Sequence, residues 1–126
     1  MTPTMASQTK AITLHLTADP NLQVRHQIRN GDEVQLHPTK LIRFRSEHSF
    51  SLLMSPFSPF IDGANPVHAV LKGTEWLVEA EFRPDAANAA PAYNVAINQT
   101  TMMAAAHPQA LAAAAVPQVE IIIEQY

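Results

Sequence analysis

Six histidines, five methionines and no cysteine set the chemical reach of this 126-residue chain. Without thiols there is no disulfide, thiolate metal site, iron–sulfur cluster or cysteine nucleophile. His15, His26, His37 and His48 recur every 11 residues. Their flanks share nothing else, so the spacing marks no repeat. An odd spacing also turns successive positions to opposite faces of any one strand. No Gly-x-Ser-x-Gly elbow, Walker loop or His-Glu-x-x-His is present, and three glycines cannot build a loop that cradles phosphate. Ser46, Glu47 and His48 are adjacent in sequence, whereas catalytic triads assemble from separate segments. Glu75, Glu79 and Glu81 share one parity and read as the solvated side of a strand. No catalytic residue is nominated, and the expectation is a protein without enzyme activity.

Charge narrows the partners. Charged residues are 15% of the chain and the net charge is −3. Arg25, Arg29, Lys40, Arg43 and Arg45 make a modest basic region in the first half, able to meet an acidic partner or simply to form ordinary surface. The second half is acidic, and no aromatics are interleaved for stacking, which argues against nucleic acid. No run of 18 apolar residues is present, so no membrane-spanning helix is expected. The N-terminus lacks a basic start followed by an apolar run, which makes a cytoplasmic location the default expectation.

The elements that must position these groups follow a period of two. Leu, Ile, Val and Phe supply 31 of the 126 residues, enough for a globular core. Residues 1–10 read as a flexible tail and 11–126 as one domain. Strands are expected at 12–16, 22–28, 34–36, 41–45, 50–54, 74–82, 93–97 and 119–124. Asn30-Gly31 predicts a hairpin between the second and third of them. Trp76, Val78, Ala80 and Phe82 take the inner face of the sixth strand. About eight short strands with turn signals predict an all-β, antiparallel sandwich. Residues 100–115 are Ala-rich and read as a short helical insertion before the last strand, or as a mobile loop.

Two further segments are candidate contact surfaces. Phe57, Phe60 and Ile61 sit in a loop pinned by Pro56 and Pro59. A rigid apolar loop loses little entropy on docking. The competing reading has these side chains fold back and plug one end of the sandwich. The Ala-rich segment could likewise pack against another copy of the chain.

Several segments, taken in order, resemble the cupredoxin-like β-sandwich. Asn30-Gly31-Asp32-Glu33-Val34 is similar to the Gly-Asp-x-Val that precedes an early strand of that family. Glu47-His48-Ser49-Phe50-Ser51-Leu52 resembles its His-x-apolar-x-apolar segment, where the first copper-binding histidine sits. Phe82-Arg83-Pro84-Asp85-Ala86 followed by Tyr93-Asn94-Val95-Ala96-Ile97 looks like the strand–turn–strand leading to the copper loop. Residues 116–124 resemble the closing strand of small bacterial cupredoxin-like domains. The resemblance spans most of residues 11–124 and implies a Greek-key topology.

The chain departs from that family in its metal chemistry. A type 1 copper site needs a thiolate beside two imidazoles and a weak axial thioether, and this chain has no cysteine. The resemblance leaves His48 at the first histidine position, with Met102, Met103 and His107 in the loop that holds the remaining ligands. Imidazoles with thioethers suit Cu(I). Packing and plain surface roles compete for the same residues. The leading expectation is a non-catalytic interaction module on a metal-free scaffold, contacting a protein partner or a second copy of itself. The alternative is a small copper-binding protein.

Overall fold

The computed structural model describes residues 4–17, 19, 23–103 and 120–125, with positions 4–8 and 100–103 described as backbone only. The described residues form ten strands and one helical turn. In chain order these are β1 (Thr4–Leu16), β2 (Arg25–Gln27), β3 (Glu33–Leu36), β4 (Ile42–Ser46), β5 (Phe50–Ser55), β6 (Val67–His68), β7 (Val70–Lys72), β8 (Glu75–Ala80), α1 (Ala86–Ala89), β9 (Tyr93–Met103) and β10 (Ile121–Gln125). They make two five-stranded sheets, ordered β3-β1-β9-β5-β6 and β2-β10-β4-β8-β7.

Alternation explains why the sheets face one another. Ile12, Leu14, Leu52, Val95 and Ile97 point inward from the first sheet. They meet Ile42, Phe44, Val78, Ile121 and Ile123 of the second in one buried cluster. Burying each such side chain stabilises the fold by about 1.5–3 kcal/mol. The intervening Arg43, Arg45 and Glu79 lie toward solvent, as their parity predicts. Trp76 is only partly buried and packs on the edge of the cluster. One polar pair spans the core: Gln99 of β9 donates from Nε2 to Ser46 Oγ of β4 at 3.1 Å.

Several expectations are corrected. Asn30-Gly31 turns the chain, with Gly31 at φ 89°, but the turn makes no hairpin. β3 pairs parallel to β1, with Thr13 opposite Glu33, and β2 pairs with β10 in the other sheet. The cause is a clamp onto β1. Gly31 N–H donates to Ala11 O at 2.7 Å, Thr13 N–H to Asp32 O at 2.9 Å, and Ala11 N–H to Asn30 Oδ1 at 2.8 Å. The first sheet is therefore mixed rather than wholly antiparallel. Residues 4–10, expected as a tail, continue β1 against β9 in unbroken register from Thr4 opposite Met103 to Leu14 opposite Tyr93. β9 in turn runs through 100–103, so no helix begins at Thr100. The rest of the Ala-rich segment, 104–115, lies outside the described residues.

Two short strands, β6 and β7, occupy a stretch expected to lie between strands. They matter because the single residue Ala69 separates them and they belong to different sheets. β2 and β3 do the same at the opposite flank. A strand pair that changes sheets thus joins the layers on both sides.

Candidate functional site

The loop after β5 is held from below. Asn65 accepts from Met54 N–H at 2.8 Å and returns a bond from Nδ2 to Met54 O at 2.7 Å. Phe60 forms a bridge to Phe82 and is wholly buried, with the two rings 5.6 Å apart. Phe57 is half-buried, set edge-on against Tyr93 at 5.6 Å, with the Arg83 guanidinium 5.6 Å from its ring. The three apolar candidates therefore separate. Phe60 plugs the core, as the competing reading has it, which corrects its nomination as an exposed contact residue. Phe57 supports the plug, and Ile61 remains 61% exposed.

Ile61 is exposed on a fixed backbone. Its N–H donates to Glu81 O at 2.9 Å, Gly63 N–H donates to Phe60 O at 3.1 Å, and Ala64 N–H donates to Asp62 Oδ1 at 3.0 Å. Beside it Leu41 is 40% exposed. Leu41, Ile61 and Ala80 line a notch of about 210 Å³, with Asp62, Glu79 and Glu81 among its walls.

The basic region reads differently in three dimensions. On the outer face of the second sheet Arg43 lies 3.3 Å from Glu79 and 3.5 Å from Glu124. Arg45 lies 3.2 Å from Glu75 and 3.3 Å from Glu124. Across β2, β10, β4 and β8 the row Arg25, Glu124, Arg43, Glu79 alternates in sign. Cross-strand opposite charges stabilise a sheet. They also leave little net field for an acidic partner.

The histidines are dispersed. His15 Nε2 lies 3.1 Å from Glu33 and His26 Nε2 lies 2.7 Å from Asp32. The His26 contact and the Arg29 N–H bond at 2.7 Å hold the Asp32 carboxyl below its ordinary value. His37 Nδ1 accepts from Thr39 N–H at 3.2 Å. His48 donates its backbone N–H to Ser46 Oγ at 3.3 Å. His107 lies outside the described residues, and Met102 and Met103 are backbone positions at the end of β9. Among the described residues no three His, Cys, Asp or Glu side chains come together as a metal site. With no cysteine, the donor set does not fit type 1 copper.

Sequence reasoning missed Glu124 as the shared partner of both arginines, and it missed Leu41 beside Ile61. Leu41 carried a signal, since its parity opposes that of Ile42 and Phe44. Glu124 carried none that could be read without the register of β10. No helix among the described residues is long and apolar enough to cross a membrane. No family model, curated protein or solved structure matches this chain.

Proposed function

We propose that this chain is a non-catalytic binding module that docks a protein partner at the notch beside Ile61. The observation that carries the reading is an exposed isoleucine locked by its own backbone hydrogen bonds next to exposed Leu41. Such a surface is already ordered before it binds, so docking costs little conformational entropy. The acidic wall favours a partner segment that alternates apolar and basic side chains. The scaffold under this reading is a cupredoxin-like Greek-key sandwich without its thiolate. Three placements support it: Asp32-Glu33-Val34 entering β3, His48 just before β5, and Phe82 to Ile97 leading into β9.

The test is an NMR titration with a short peptide of alternating leucine and lysine, alongside one of alternating leucine and glutamate. Shifts concentrated at Leu41, Ile61, Asp62 and Glu81, absent with the acidic peptide and lost in Ile61→Asp, are expected. Equal response to both peptides, or none at these residues, refutes the docking site.

One placement favours the copper alternative. The β5–β9 register ends with Phe50 opposite Gln99, so His48 stands at the end of the sheet where β9 carries Met102 and Met103. Copper analysis of untagged protein tests it. A stoichiometric signal lost in His107→Ala supports that reading, and no signal ends it.

A further inference from the structure

Among the described residues, the first sheet has a long edge left unpaired along part of its length. β1 and β9 ladder together as far as Thr4 and Met103, but β3 covers β1 only from Thr13 to Leu16. β5 covers β9 only from Asn94 to Gln99. Beyond those limits, among the described residues, the pair continues as a two-stranded ribbon with open main-chain edges. The parity of the open edge on β1 is fixed by its neighbours. Ala11 O and Thr13 N–H point away from β9, toward the Asn30–Asp32 turn. The β1–β9 register is unbroken, so the main-chain groups of Met5, Ser7 and Thr9 face that same open side.

Native proteins guard such edges with charge, proline, bulges or brevity. The short edge strands here do so. β2, β3, β6 and β7 are two to four residues long, and Arg25, Glu33 and Lys72 stand on three of them. Thr4-Met5-Ala6-Ser7-Gln8-Thr9 has no charge, no proline and no bulge. An unguarded edge that is also free of charge is complementary to itself.

We propose that two copies of this chain pair antiparallel along the β1 edge, centred on Ser7, joining their first sheets into one continuous sheet. About that two-fold axis Ser7 opposes Ser7, and Met5 opposes Thr9 of the second copy. Each of these pairs exchanges both main-chain bonds. Lys10 falls opposite Thr4 of the second copy, so no like charges meet. The contact is isologous and closes at two copies. It lies on a different element from the Ile61 notch and does not depend on it.

Sedimentation velocity of the full chain over a concentration series tests the proposal. The wild type is expected to shift from monomer to dimer as concentration rises. Ser7→Lys and Ser7→Glu each place like charges directly opposite one another, and each is expected to raise the dissociation constant by up to about fivefold. An equimolar mixture of the two is expected to restore the dimer, because unlike charges then meet. Ile61→Asp should dimerise as the wild type does. Should either Ser7 variant fold poorly, amide exchange of the wild type supplies the reading. Protection at Met5, Ser7 and Thr9 must then grow with concentration. A wild type monomeric throughout overturns the inference. So does a dimer indifferent to both Ser7 variants, a mixture that fails to associate, or protection at these amides that is independent of concentration.

Discussion

Tyr93→Phe removes one oxygen and leaves the ring. In the wild type Tyr93 is wholly buried at the start of β9, and its hydroxyl donates to Ala86 O at 2.6 Å. That bond ties the β8–β9 connection, including α1, to the core; α1 itself has no side-chain cap at Asp85. Losing a neutral hydrogen bond costs about 1 kcal/mol, and leaving a buried acceptor short of a donor adds up to a similar amount or more. The expected destabilisation is about 2 kcal/mol. For a chain of this size that lowers the melting midpoint by roughly 6–10 °C. Urea unfolding followed by the fluorescence of the lone tryptophan, Trp76, measures it, with the urea slope unchanged. Burial also raises the Tyr93 pKa above its ordinary value. The folded state therefore favours the neutral phenol. Its contribution is intact below the unfolded value of about 10 and is lost as pH rises through the folded one. Tyr93→Phe should lose that alkaline step. A destabilisation under about 0.5 kcal/mol, with the alkaline step retained, would show that the hydroxyl does not hold the connection.

Asp32→Asn should destabilise the protein at neutral pH. Because the folded carboxyl sits below its ordinary value, the difference from wild type should close as pH falls through that lowered pKa, measured as urea midpoint against pH. Glu124 faces both Arg43 and Arg45 with its side chain 17% exposed, so Glu124→Gln should cost about 1 kcal/mol at low salt and less at high salt. Gln99 is buried, and its Oε1 lacks a hydrogen-bond partner among the described residues. Gln99→Leu alone should therefore cost roughly 1 kcal/mol through Ser46, and Ser46→Ala combined with Gln99→Leu should recover most of it in a double-mutant cycle. Ile61→Asp should leave stability within about 0.5 kcal/mol of wild type, as thermal melting would check.

What the sequence disclosed and what it withheld divide along a physical line. Burial on one face only imposes alternation, so Ile42 and Phe44, and Phe50 and Leu52, could be placed on one face from spacing alone. Turn chemistry is local too, and Asn30-Gly31 does turn. Which strands a turn joins is set by long-range pairing, so the parallel β1–β3 ladder was not legible. β6 and β7 are too short to show a period. The contact loop was half legible. Phe60 and Ile61 are neighbours of equal hydrophobicity, and only the bridge to Phe82 decides which of them faces inward. The charge ladder depends on β10, which reaches Arg43 and Arg45 from the far end of the chain.

The strand switches at Ala69 and at residues 28–32 bear on how a guest molecule can reach the interior. Sliding or parting the layers requires pulling continuous backbone out of a ladder on one flank or the other. Among the described residues, parting the sheets on either flank therefore means breaking backbone pairing as well as apolar contact.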